Sequence, residues 1–188
     1  MQVGKEPLMT QTFRIKKMPA MQLLIIRHGV AEDREEFART GKPDDVRPLT
    51  KKGIRGMKRI ATGLKEIVPR IDHLATSPLT RATETADIVG EVFGISGTEV
   101  IPALLPGAKP EELAAWAQGY ARKGIVAVIG HEPYLGSLIT WFMGGKGDSR
   151  VEMKKGGVCL IEFDEAVGPG TGTLCWLATP RMLRGLGD

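Results

Sequence analysis

Three short apolar runs, each ending at a polar cluster, constrain this chain more than any other feature. They are MQLLIIR (Met21 to Arg27), HLATS (His73 to Ser77) and GIVAVIG (Gly124 to Gly130). Each reads as a buried strand. Helical patterns lie between them. Thr50 is a good helix N-cap, and beyond it Ile54, Met57, Ile60, Ala61, Leu64 and Val68 form one apolar stripe that Pro69 ends. RATETADIVGEVFG predicts a helix closed by Gly94. TEVIPA reads as a short strand. EELAAWAQGYARK, after Pro110, has acids at its start and bases at its end, as a helix dipole favours. PYLGSLITWFMG predicts a helix with Pro133 in its first turn. VCLIEF and TLCWLAT, joined by the Gly- and Pro-rich DEAVGPGTG, read as a hairpin. The stretch from Val30 to Pro48 is charged, holds two prolines and reads as loop.

Strand and helix alternate and the chain closes on a hairpin. This predicts an α/β fold, a three-layer α/β/α sandwich with a mostly parallel central sheet and a C-terminal β-hairpin. There is no internal repeat and no linker, so residues 21–188 are expected to form a single domain, which suits 188 residues. Residues 1–20 are mixed and polar and read as a flexible extension, with Met9, Met18 and Met21 as candidate starts.

Composition narrows the function. At 42% hydrophobic residues the chain can bury a core, and no apolar run approaches the roughly 18 residues of a membrane span. A secretory signal is also lacking, and a cytoplasmic location is expected. Cys159 and Cys175 read as two buried thiols in neighbouring strands. A net charge of +4 suits an anionic substrate or partner, while 5% aromatics and the lack of a recognisable motif argue against nucleic acid. The chain is expected to be a monomer or weak dimer.

In open parallel sheets ligands bind beyond the carboxyl ends of the strands. Arg27, His28 and Gly29 follow the first strand, Ser77 and Arg81 the second, and His131 and Glu132 the strand ending at Gly130. Two arginines and two histidines are therefore expected at one sheet edge. Arginine forks onto two phosphate oxygens, and a neutral imidazole is a nucleophile near neutral pH. Phosphoryl transfer needs mainly positioning and charge neutralisation, and Gly29 would let the backbone approach a phosphate.

LLIIRHG, SPLTRATETA and VIGHEP, in this order, resemble the RHG, SPLxRAxxTA and GHxP signature of the histidine phosphatase superfamily, and PLTKKG (Pro48 to Gly53) resembles its L-T-x-x-G helix start. The resemblance runs from about Met21 to the last strand. It implies that His28 is the phosphorylated nucleophile, that Arg27, Arg81 and His131 bind the phosphoryl group, and that no metal or other cofactor is needed. The short length and VRPLT look most like the SixA-type phosphohistidine phosphatases. Mutase-like members carry a glutamate, the general acid, in an L-x-E segment. Here the comparable LLPGAKP has Pro106 at that place. An alcohol leaving group, with a pKa of roughly 15 like water, benefits greatly from protonation. Imidazole, with a pKa of about 6.5, needs far less help.

The expected activity is thus hydrolysis of a phosphoryl group on a protein histidine through a covalent intermediate at His28. A small-molecule phosphomonoesterase is the first alternative, acting on a sugar phosphate, nucleotide or short polyphosphate. A non-catalytic phosphate- or phosphoprotein-binding module is the second. Glu132 is a candidate accessory acid, because another branch places its acid directly after the second histidine; it also suits a helix N-terminus. Arg47 is a candidate either for binding a phosphate or second anionic group or for capping a carboxylate. Lys51, Lys52, Arg55, Lys58 and Arg59 read as a solvated helix face, with a rim for acidic partners or polyanions as the lesser reading. His73 lies in no motif and reads as a partly exposed structural histidine. Trp116, Trp141 and Trp176 read as core. GGKG and GPGTG lack the G-x-x-x-x-G-K-[ST] spacing of a phosphate loop and read as ordinary loops.

Overall fold

A computed structural model describes residues 21–187; the expected extension, residues 1–20, lies outside the described residues. Six strands form one sheet in the order β3-β2-β4-β1-β5-β6. They are β1 (Met21–Arg27), β2 (His73–Thr76), β3 (Glu99–Val100), β4 (Ile125–Gly130), β5 (Val158–Phe163) and β6 (Gly172–Ala178). β1, β2, β3 and β4 run parallel, whereas β5 is antiparallel to both β1 and β6.

Period-two alternation divides the core. Leu23 and Ile25 of β1, with Val126 and Val128 of β4, pack beneath α4 (Pro110–Gln118) and α5 (Tyr134–Gly144). Leu24 and Ile26, with Ala127 and Ile129, face α2 (Lys51–Ile67), α3 (Thr80–Phe93) and α6 (Pro180–Leu186). Both faces of the central strands are covered, which explains why their sequences are continuously apolar. The architecture is the predicted α/β sandwich.

Several local readings change. The segment read as loop before Pro48 holds a short helix, α1 (Arg34–Ala38), and a 3-10 turn, Asp44–Val46. The Asp33 carboxylate caps α1 by accepting from the Glu35 and Glu36 N–H groups, and Phe37 buries its inner face. Five residues cannot sustain a helix alone, so this element follows from its cap and its tertiary contact. The expected TEVIPA strand shrinks to two residues because Pro102 begins a 3-10 turn on the sheet's edge. The expected helix from Glu111 to Lys123 stops at Gln118, and Arg122 adopts a left-handed φ of 65°. The hairpin does not end the fold. Thr179 caps α6, with Pro180 in the first turn, and Leu183 is buried against the sheet's α2 side.

The cysteine reading is half corrected. Cys159 is buried, and burial pushes its thiol up to about 12, but Cys175 is exposed. Both lie in neighbouring strands as expected, yet β6 is an edge strand with one face open to solvent. Trp141 is buried, while Trp116 and Trp176 are partly buried against the two cores. His73 is partly exposed and stacks on Tyr120 with centroids 4.1 Å apart; its Nε2 lies 2.9 Å from Glu99, which also accepts from Trp116 and Tyr120. No helix among the described residues is long and apolar enough to cross a membrane.

Candidate active site

The ends of β1, β2 and β4 converge because the strands are parallel and adjacent. The His28 N–H donates to the Gly130 carbonyl at 3.1 Å, and the Ser77 N–H to the Ile129 carbonyl at 3.0 Å. Arg27 is the last residue of β1, His131 follows β4, and Arg81 lies in the first turn of α3. His28, Arg81 and His131 are 5%, 5% and 2% exposed, and the two imidazole centroids are 5.0 Å apart.

The protonation of His28 follows from its neighbours. Its Nδ1 lies 2.7 Å from the Gly29 carbonyl, which can only accept, so Nδ1 carries the proton and Nε2 keeps its lone pair. Burial lowers the His28 pKa to about 3. The Gly29 hydrogen bond opposes that shift, and the charges of Arg81, Arg27 and Lys155 reinforce it. Burial likewise lowers His131 to about 3, helped by His28, Arg81 and Arg27. Both rings are neutral at pH 7. His131 Nε2 lies 2.8 Å from Ser77 Oγ, while its Nδ1 is buried without a hydrogen-bond partner. Arg27 Nε and Arg81 Nε are also buried and unpartnered. A buried polar group left unsatisfied costs about 1–3 kcal/mol. The two guanidinium N–H groups suit a group with several acceptor oxygens, and His131 Nδ1 joins them as a donor in the tautomer in which the Ser77 hydroxyl donates to Nε2.

The two motif glycines have packing reasons. A Cβ on Gly29 would sit 2.5 Å from Met57 Cγ, and the Gly29 N–H donates to Thr85 Oγ1 at 3.1 Å. This places Gly29 against α2, with its amide engaged by a side chain. A Cβ on Gly53 would lie 2.0 Å from the Val30 carbonyl oxygen, so α2 can begin against the β1 loop only with glycine there. Thr50 Oγ1 completes that start by accepting from the Gly53 N–H at 2.8 Å.

Asp44 belongs to the site although sequence reading passed over it. Its carboxylate lies 2.8 Å from Arg47 Nε and 3.2 Å from Arg81 Nη1, with Arg34 Nε at 3.7 Å. Arg47 also donates from Nη1 to the Glu32 carbonyl at 2.7 Å. Of the two expectations for Arg47, carboxylate capping is the contact seen. The Arg47 hydrogen bond holds the Asp44 carboxyl below its usual range; burial opposes that and Arg81 adds to it. Asp44 and Arg47 are three residues apart in a turn, and that spacing was the available signal.

Glu132 is placed differently from an acid reaching into solvent. One oxygen accepts from the Gly136 N–H at 3.2 Å, in the first turn of α5, and the other from the Met153 N–H at 2.6 Å. The Met153 carbonyl in turn accepts from Arg27 Nη1. Glu132 thereby anchors the segment that orients Arg27. Glu132→Gln is expected to reduce phosphohistidine turnover less than tenfold, well below the general-acid scale of about 100-fold or more. It should lower stability by about 1–3 kcal/mol, because an amide NH2 would face a backbone N–H. Parallel kinetics and denaturant melts check this.

The sequence is 30% identical over 167 residues to phosphohistidine phosphatase SixA of Escherichia coli strain K12, covering 87% of this chain and 97% of that protein. The chain belongs to the histidine phosphatase superfamily. Residues 23–104 match the model of branch 1 of the superfamily. The solved structure of the protein histidine phosphatase SixA complexed with tungstate superposes with a TM-score of 0.74 at 30% identity, covering 86% of this chain and 98% of that one. An alpha-ribazole phosphatase from Shigella flexneri shares the superfamily fold, with a TM-score of 0.66 at 19% identity, covering 85% of this chain and 97% of that one.

Proposed function

We propose that this superfamily phosphatase hydrolyses phosphohistidine on a protein, with His28 as the transient phosphoryl acceptor. The observation that carries the reading is the neutral, Nδ1-protonated His28 in a site with Arg27, Arg81 and His131, whose Nε, Nε and Nδ1 atoms are buried and unpartnered. Arg27, Arg81 and His131 take the phosphoryl oxygens. The substrate's imidazole carries a proton from solvent on its other ring nitrogen. The His28 Nε2 lone pair attacks phosphorus in line, the substrate's P–N bond breaks with its electron pair going to the departing nitrogen, and the imidazole leaves as a neutral ring. Water then attacks the same phosphorus and gives its proton to the solvent or the released phosphate. His28 regains its lone pair. The Gly29 carbonyl holds the Nδ1 proton throughout, so His28 also leaves as a neutral imidazole and not as an anion.

The choice of leaving group rests on the acids. Asp44 is held ionised by Arg47, so it is a poor proton donor at neutral pH. Both Glu132 oxygens are engaged by backbone N–H groups. The segment after β3 has Pro106 where mutase-like members carry glutamate. An imidazole tolerates this, whereas an alkoxide does not. The similarity to phosphohistidine phosphatase SixA supports the same choice.

The test is phosphate release by the full chain from a phosphohistidine-bearing protein and from an aryl phosphate. At least tenfold preference for the phosphohistidine in kcat/KM is expected. Preference for the ester would make the protein a small-molecule phosphatase, and turnover of neither would favour a binding module.

A further inference from the structure

Beside the candidate active site runs a concavity of about 540 Å3. Its lining includes Lys52 and Arg55 from α2, Lys155 from the loop before β5, and Arg184 from α6. Arg59 lines it too, and among the described residues no lining residue is acidic. Among the described residues none of Lys52, Arg55, Lys155 and Arg184 is paired with a carboxylate. The floor is apolar, formed by Val30, Met57 and Ile60, and Val30 is 42% exposed. Like charges drawn from three separated segments repel one another, which is tolerable where a counter-charge is to be received.

The cleft adjoins the reaction centre. Gly29 lines it and directly follows His28, and Lys155 is close enough to act electrostatically on His28. Its chemistry, a cationic rim over an apolar floor, complements an amphipathic segment with carboxylates along one side. Among the described residues no aromatic side chain lines it, so these residues offer no stacking platform for nucleic acid bases. We propose that this cleft docks an acidic, amphipathic segment of the phosphoprotein whose histidine enters the active site. The assignment rests on the phosphohistidine reading and adds how that substrate is recognised: the cleft supplies affinity and orientation, while His28 and its neighbours supply the chemistry. An isolated phosphohistidine, having no such segment, gains nothing from it.

Gly56 provides a steric test separate from charge. It lines the cleft on α2, and a Cβ there would meet nothing within 4 Å. A larger side chain fills the cleft, and any residue but proline favours the helix over glycine.

The experiment measures binding of a fluorescein-labelled, phosphate-free amphipathic peptide with glutamates on one face and leucines on the other. It uses the full chain, with hydrolysis of free phosphohistidine followed in parallel. Lys52→Glu/Arg55→Glu and Gly56→Trp are each expected to weaken peptide binding at least tenfold while leaving free-phosphohistidine turnover within twofold. Wild-type binding should weaken steeply as salt rises. The proposal is overturned if the wild type does not bind the peptide, if both variants bind it undiminished, or if turnover of the small substrate falls in step with binding. It is also overturned if pyrophosphate or single-stranded oligo-dT binds more tightly with the same variant dependence, since the cleft would then serve small polyanions or nucleic acid. Peptide binding does not involve His28 chemistry. Failure of wild type to hydrolyse phosphohistidine would therefore remove the proposed function while the docking measurement still reads the cleft.

Discussion

His28→Ala is expected to reduce phosphate release from a phosphohistidine protein by about 10,000-fold or more, the scale on which losing a nucleophile acts. Covalent labelling gives a second readout. Wild type mixed with substrate carrying a radioactive phosphoryl group and quenched in alkali should retain an acid-labile label on the peptide containing His28. His28→Ala should retain none. The physical basis is the tautomer: the Gly29 carbonyl at 2.7 Å keeps the proton on Nδ1, leaving Nε2 as a lone-pair nucleophile among cationic donors. Arg81→Ala should retain the label but slow its formation by about 100- to 1,000-fold, the usual cost of removing one donor to transition-state charge. Label on another residue, or undiminished activity in His28→Ala, would refute the covalent assignment.

Stability should fall steeply as the solution is acidified. His28 and His131 are held neutral in the fold, each with its pKa lowered from 6.5 to about 3 by burial first, and further by the arginines. The unfolded chain takes up protons at these positions below pH 6.5, and the folded chain does not until about pH 3. The unfolded state binds more protons throughout that window, so unfolding becomes easier as pH falls. At about 1.4 kcal/mol per pH unit, one such histidine removes on the order of 5 kcal/mol across the window. The pair removes less than twice that, because part of the His131 shift comes from His28 itself. Denaturant melts from pH 7 to 4 should show this slope, and His28→Gln/His131→Gln should flatten it. An equal slope in that variant would place the acid sensitivity elsewhere. Asp44 adds a smaller loss in the same direction: its carboxyl is held below its usual range, so the stability it contributes is lost as pH falls through its folded pKa.

Much of the site was legible because it depends on strand ends. β1, β2 and β4 are buried on both faces, so their sequences are continuous apolar runs whose polar residues begin where the strands stop. Parallel neighbours end at the same edge, and this alone brings Arg27, His28, Ser77 and His131 together. Arg81 follows because α3 starts just after β2. The helix starts at Thr50 and after Pro133 were likewise local signals, carried by capping and by the fixed φ of proline.

The rest depended on contacts between distant residues. Asp44 reaches Arg81 across 37 positions, and the segment between Val30 and Pro48 carries no period that would announce it. Glu132 looked like a candidate acid beside a histidine, yet its partner Met153 lies 21 residues on. The exposure of Cys175 follows from β6 being at the sheet's edge, a matter of strand order that side-chain alternation does not encode. The cationic run of α2 read as a solvated face because Lys155 and Arg184, which join it around one cleft, come from elsewhere in the chain. Periodicity, caps and strand-end motifs, set by neighbours a few residues away, let the sequence alone determine the layers and which polar residues meet at the sheet edge. Only the tertiary structure decided which donors stay unpartnered, which carboxylate is clamped and where like charges converge, because burial and Coulomb interactions depend on distances through space and not along the chain.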